Sequence, residues 1–187
     1  MCSDAEARAP MEAAPGVMVH PGQDRDLAVE HWLCCASREP REPREARQAW
    51  RDEETPLLRC GILFTAVSLP GYPIHSVAGS TEPAEVDAFL AQALEGGPVI
   101  ASGGLMRYWA LVPPTAVDGW TDPASECLTP GTFLGVPPIH RKTRQPGLSY
   151  WSVSMDSPAV LCSTGLVSRL SRMGQTVHRA QLDREGA

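Results

Sequence analysis

Hydrophobic and polar residues alternate along this chain with two distinct periods. In "DRDLAVEHWLCCA", Leu27, Val29, Trp32, Leu33 and Ala36 share one broad helical face, and Asp24 or Asp26 stands ready to cap it; this predicts a helix over 25–37. The sharpest helical signature is "STEPAEVDAFLAQALEGG". Ser80 or Thr81 stands at the cap, Pro83 in the first turn and Gly96 at the stop, while Val86, Phe89, Leu90, Ala93 and Leu94 form an inward stripe. A last amphipathic helix is expected in "SPAVLCSTGLVSRLSRMG", begun by Ser157-Pro158 and followed by a frayed terminus over 175–187.

The remaining apolar runs are short and rich in β-branched and aromatic residues. "LLRCGILFTAVSL", closed by Pro70-Gly71, reads as a buried strand, and further strands are expected at Pro98–Ala101, Met106–Val112, "TFLGVPP" and "LSYWSVSM". One helix separates the first two strands, and the later strands follow in close succession. That order predicts an α+β fold, a mostly antiparallel sheet with helices packed on one face, because a doubly wound parallel sheet needs a helix between most strands.

Composition sets the boundaries. Residues 1–22 are rich in Ala, Pro, Glu and Gly without periodicity and read as a disordered tail. Residues 23–55 read as an N-terminal helix and an Arg/Glu/Pro connector, and 56–174 as the core domain. Within "SREPREPREARQAWRDEETP", Pro40 and Pro43 forbid an α-helix through 38–43. In polyproline II, Arg38, Arg41, Arg44 and Arg47 would line one edge and Glu39, Glu42 and Glu45 another. The run is then either an arginine comb for an acidic protein partner, gripped through Arg38–Arg51, or a self-neutralised solvated connector. The interleaved glutamates favour the connector. A short helix is expected to restart near Glu45 and run to Trp50.

At 187 residues, 43% hydrophobic and 20% charged, the chain can bury an ordinary core. A net charge of −6 excludes a binder that is basic over its whole surface and leaves room for a local basic patch. Fifteen of the sixteen basic residues are arginine, Lys142 being the exception, so arginine alone does not mark an anion site. Six cysteines occur without a signal-peptide pattern, which sets the expectation of a reducing cytoplasm. No apolar window approaches the ~20 residues that cross a bilayer, so no membrane partner is expected. No cofactor or metal is expected either.

Several residue groups could carry chemistry. Ser102, Gly103 and Gly104 sit between two strands, where glycine either exposes backbone N–H groups to a phosphate or simply makes a tight turn; the turn is the commoner use. Arg107 beside that turn is the natural anion partner. "HRKTR" brings His140, Arg141, Lys142 and Arg144 together without intervening acids, a patch able to grip a phosphate backbone with Trp120, Tyr150 or Trp151 as stacking faces. His31, Cys34, Cys35 and Cys60 lack the paired spacing of structural zinc sites. A hydrolase built from Cys127 or Cys162, His75 or His140, and Asp118, Asp122 or Asp156 lacks any nucleophile motif.

The segment "GPVIASGGLMRYWALVPP" resembles the central β-hairpin of the Prim-Pol domain, the N-terminal module of bifunctional DNA primase/polymerases in the archaeo-eukaryotic primase superfamily. "GTFLGVPP" and "SYWSV" resemble the later strands of that family, and "ILFTAVSL" its first catalytic strand; the likeness is to a degenerate, small actinobacterial type. The resemblance implies a Prim-Pol/RRM-like sheet and DNA or nucleotide as partner. It also implies an Asp-x-Asp pair for two divalent metals at the end of the first strand, yet the matching residues are Ala66, Val67, Ser68 and Leu69. The family histidine expected after the glycine turn is replaced by Leu105, Met106 and Arg107. The expectation is therefore a catalytically inactive primase/polymerase-like protein that binds nucleotide or nucleic acid as an accessory factor in DNA metabolism. The contact residues would be Ser102, Gly103, Gly104, Arg107, His140, Arg141, Lys142 and Arg144. The alternative is a small protein-interaction adaptor with no nucleic-acid role.

Overall fold

The computed structural model describes residues 11–15, 17–19 and 21–185. The tail expected over 1–22 lies outside the described residues for its first ten positions. Met11–Ala14 (β1) and Val17–Val19 (β2) pair as an antiparallel hairpin, and the first helix, Pro21–Cys34 (α1), follows at once. It begins and ends earlier than its apolar spacing predicts.

The centre of the molecule is a five-stranded sheet of order β7-β4-β6-β5-β9 in which every pairing is antiparallel. Its strands are Thr65–Pro70 (β4), Val99–Ala101 (β5), Arg107–Val112 (β6), Glu126–Cys127 (β7) and Tyr150–Val153 (β9). β4 and β5 both run antiparallel to β6, which lies between them, and Gly71–Ala78 (α3) and Pro83–Ala93 (α4) connect them. This is a split β-α-β unit. A one-turn helix, Ala116–Gly119 (α5), leads from β6 towards β7. The short strands Leu57–Arg59 (β3) and Phe133–Gly135 (β8) form a separate two-stranded sheet. The α+β class and the antiparallel sheet expected from the sequence are what forms.

Helices on one face only are not. Val67, Leu69, Val99, Tyr108 and Ala110 point to one side, where they pack with Ile74 of α3, Val86 and Leu90 of α4, and Val167 and Leu170 of Thr164–Glu185 (α6). Ala66, Ile100, Leu111 and Trp151 point to the other. There they meet Val29 and Leu33 of α1, Ala46 and Trp50 of Glu42–Arg51 (α2), and Leu58 and Leu134 of the small sheet. The physical reason is that both side-chain parities of the central strands are apolar, the composition of strands covered on both faces. Trp50 Nε1 donates to the Val136 carbonyl at 2.9 Å and Trp151 Nε1 to the Pro137 carbonyl at 3.2 Å, so neither buried indole lacks a partner.

The boundary expected at residue 55 therefore falls inside a core. The Arg/Glu/Pro run is a turn followed by α2, with Pro43 in the first turn, where a missing N–H costs nothing. Its arginines are not a polyproline comb: Arg47 reaches Glu30 at 3.4 Å and Arg41 reaches Glu39 at 3.6 Å. At the other end, Ser157-Pro158 start no helix. α6 begins at Thr164 and continues to Glu185, through the stretch expected to fray.

Candidate functional site

The β5–β6 hairpin is held from two sides. Its turn closes on itself: the Ser102 N–H donates to the Arg107 carbonyl (2.9 Å), the Leu105 N–H to the Ser102 carbonyl (2.8 Å), and the Arg107 N–H to Ser102 Oγ (3.1 Å). A Cβ on Gly103 would lie 2.3 Å from the backbone carbon of Gly147, so glycine lets a second loop pack directly on the turn. On the opposite flank the Gly71 N–H donates to the Met106 carbonyl at 2.9 Å. Gly104 is exposed, and a Cβ there would make only an ordinary contact with Met106 Cγ at 3.8 Å. The structure thus brings the glycine turn against the 145–148 turn that follows the basic cluster.

Arg107, the exposed first residue of β6, leans back over β4. Its Nη1 donates to Ser68 Oγ at 2.8 Å. Ser68 pairs with Trp109 on β6 and with Glu126 on the edge strand β7. Strand alternation puts Ser68, Arg107 and Trp109 on one face, the α1 side, where Trp109 is half-buried and Glu126 exposed. On this face the end of the sheet offers a cation, a hydroxyl, an indole and the Glu126 carboxylate. Among the described residues, no group of three or more His, Cys, Asp or Glu side chains gathers where it could hold a metal ion.

The basic cluster is mostly occupied. Arg141 has only 2% of its side chain exposed; its Nη2 donates to the Glu53 carbonyl at 2.6 Å and to Glu53 Oε2 at 3.0 Å. His140 Nε2 lies 2.8 Å from Glu53 Oε1, and Lys142 Nζ donates to Asp26 Oδ1 at 2.9 Å. Hydrogen bonding from Arg141, then from His140, holds the Glu53 carboxyl below its ordinary range. Glu53 follows α2 with φ 58, a left-handed turn that presents both its carbonyl and its carboxylate to Arg141. These residues fasten α1 and α2 to the sheet. Arg144 stands apart from that cluster, exposed on the turn that leads to Gly147, where its charge reaches the Tyr108 and Tyr150 hydroxyls.

On the opposite face, covered by α3, α4 and α6, the same end of the sheet carries a polar network that the sequence reading missed. Asp87 of α4 accepts hydrogen bonds from the Tyr150 hydroxyl at 3.1 Å and from Ser152 Oγ. Tyr108 OH meets His75 Nε2 at 3.0 Å. Ser152 reaches Asp87 because β9 bulges there: Ile100 pairs with Trp151 and Val99 with Val153, leaving Ser152 unopposed. Burial raises the Asp87 carboxyl above its ordinary range against the pull of both hydroxyls, and burial lowers the His75 imidazole. Tyr108 and Tyr150 are both raised, by burial first and then by the Asp87 charge. The one available signal was a charged residue beside the inward stripe of α4, and that position alone does not specify a partner.

Neither of the other sequence constellations assembles. Cys162 Sγ donates to the Pro98 carbonyl at 3.4 Å, and burial pushes its thiol up to about 12, while His75 and His140 are bonded to Tyr108 and Glu53. Burial likewise raises Cys127, Cys34 and Cys60. Cys35 is exposed and its Sγ approaches the His31 carbonyl rather than Cys34 or Cys60. Trp120 packs partly buried against the core and gives its Nε1 hydrogen to the Ser125 carbonyl at 2.9 Å, while Trp151 and Tyr150 are buried. No helix among the described residues is long and apolar enough to cross a membrane. No protein-family model, no curated protein and no solved structure matches the chain.

Proposed function

We propose that this chain is a primase/polymerase-like protein that binds single-stranded nucleic acid or nucleotide at the Arg107 end of its sheet and performs no metal-dependent nucleotidyl transfer. The observation that carries the reading is the bond from Arg107 to Ser68. The family resemblance places metal-holding carboxylates at the end of this strand. Here a guanidinium lies against a hydroxyl, with Glu126 on the neighbouring edge strand in place of a cluster of acids. Two divalent cations flanking a transferring phosphoryl group need clustered anionic oxygens. A guanidinium instead takes a phosphate directly, through paired N–H donors.

The rest of this end suits such a ligand. Trp109 lies two residues along β6 on the same face; it packs half-buried against the core, and the exposed part of its ring would offer a surface for a base. Arg144, exposed at the neighbouring turn, supplies a second cation that His140, Arg141 and Lys142 do not, because they are bound to Glu53 and Asp26. Glu126 opposes binding modestly from the edge strand. The split β-α-β order, with β4 beside the glycine hairpin, supports a nucleic-acid-binding sheet of this type. Within this reading the Gly103 turn organises the site rather than cradling phosphate.

Primer-extension assays in Mg²⁺ and in Mn²⁺, run beside gel shifts with single-stranded DNA, test the reading. The expected result is retardation of the DNA without extension in either metal. Extension that is abolished by replacing Glu126 or another acid of the sheet would show that a working metal centre exists.

A further inference from the structure

β3 pairs with β8 and with no other described strand. In that ladder the Val136 N–H donates to the Pro56 carbonyl at 3.0 Å and the Cys60 N–H to the Thr132 carbonyl at 2.9 Å. Antiparallel pairing alternates, so Pro56, Leu58 and Cys60 turn their backbone polar groups towards β8. Leu57 and Arg59 turn theirs away, to an open edge. Open edges of this kind are templates for another strand, and proteins normally blunt or cover them.

This edge is short, three residues after Pro56, but no described strand covers it. A groove of about 440 Å³ runs between β3 and α2, and all three β3 residues line it. On its outer side Leu57 is 67% exposed and Phe133 47% exposed. The Arg59 guanidinium lies 4.7 Å from the centre of the Phe133 ring, and its Nε is buried without a hydrogen-bond partner. Facing β3 are Glu42, Glu45 and Glu54, three carboxylates against the one guanidinium of Arg59, whose Nη2 is 3.9 Å from Glu42.

We propose that β3 accepts an extended, basic segment of a partner protein as an added strand in this groove. Alternate side chains of such a segment would face opposite sides. One set, apolar, would lie beside Leu57 and Phe133; the other, lysine or arginine, would meet Glu42 and Glu45 of α2 and Glu54. The backbone of the segment would pair with Leu57 and Arg59, and one of its carbonyls is placed to satisfy Arg59 Nε. A second copy of this chain fits less well, because it brings the same acidic wall to the same edge. The proposal is independent of the nucleic-acid reading.

The test is fluorescence anisotropy of the full chain with a labelled heptapeptide alternating valine and lysine, against its valine–glutamate counterpart. The lysine peptide is expected to bind saturably and the glutamate peptide about tenfold more weakly or worse. Leu57→Pro deletes an outward N–H that the β8 ladder does not use, so it is expected to fold and to weaken the lysine peptide about tenfold. The double variant Glu45→Lys/Glu54→Lys changes two exposed positions and is expected to reverse the peptide preference, which keeps the test available if Leu57→Pro is unstable. Absence of saturable binding overturns the proposal, as does an equal response of both peptides. Sedimentation showing a dimer that Leu57→Pro dissolves would also overturn it, by making a second copy the occupant.

Discussion

Arg107 donates through Nη1 to Ser68 Oγ across the β4–β6 ladder, joining the start of one strand to the end of the other. The guanidinium is exposed, so removing it leaves the core intact. Arg107→Ala is expected to keep the wild-type circular dichroism spectrum and to weaken single-stranded DNA binding about tenfold, with the salt slope of log K falling by about 0.7 for the lost phosphate contact. Glu126→Gln is expected to act in the opposite direction, strengthening binding about twofold by removing a nearby like charge.

Gly103 and Gly104 separate the packing role of the turn from a phosphate-cradling one. A Cβ at position 103 would collide with the Gly147 backbone at 2.3 Å, whereas at position 104 the nearest heavy atom is Met106 Cγ at 3.8 Å. Denaturant unfolding of Gly103→Ala is expected to show a loss of about 2–3 kcal/mol. Gly104→Ala is expected to stay within about 0.5 kcal/mol of wild type and to keep its DNA affinity. A large loss of affinity with Gly104→Ala at unchanged stability would mean that the turn itself touches the ligand.

Two carboxylates shift in opposite directions and give opposite pH signatures. Glu53 is held below its ordinary value by Arg141 and His140, so its stabilisation is present above that value and is lost as pH falls through the folded value. Asp87 is raised by burial, so the folded state holds the proton more tightly, and stability falls as pH rises from the ordinary carboxylate value, near 4, through the raised one. Chemical denaturation across this range is expected to show that Glu53→Gln flattens the acidic limb. Asp87→Asn is expected to flatten the decline on its upper side.

Arg141 and Lys142 are adjacent in sequence and differ in consequence. Arg141 is buried and bonded to the Glu53 carbonyl and carboxylate and, at 3.4 Å, to the Ser149 carbonyl. Arg141→Met leaves those acceptors without their donor and is expected to cost about 2–4 kcal/mol in denaturant unfolding. Lys142 and Asp26 are each 31% exposed, and Lys142→Ala is expected to cost no more than about 1 kcal/mol.

Local patterns were legible where local physics decides. The stripe of α4, the strands β5 and β6 and the turn between them sit where apolar spacing and glycine place them. α3 was hidden because Gly71 and Pro73 look like helix breakers. In fact a Cβ at Gly71 would lie 2.2 Å from the Leu105 carbonyl, and Pro73 falls in the first turn. β7 is two residues long, too short for any periodicity. The partners of the basic cluster were illegible for another reason: Glu53 and Asp26 lie 87 and 116 residues from His140 and Lys142, and no spacing rule links them. The Asp87 network depends on a bulge that appears only once β9 is paired. The Arg107–Ser68 bond was half visible, as an arginine beside the turn and a strand without acids.

The most direct test of the central claim is an anisotropy titration of a labelled oligothymidine of about 20 nucleotides, with EDTA present, into the wild-type chain and Arg107→Glu. Saturable binding by wild type that Arg107→Glu weakens about tenfold or more is the predicted result, since the charge reversal replaces the proposed phosphate-binding cation with a repelling anion. Equal affinity of the two chains, or wild-type binding that appears only when Mg²⁺ or Mn²⁺ replaces the chelator, would contradict it.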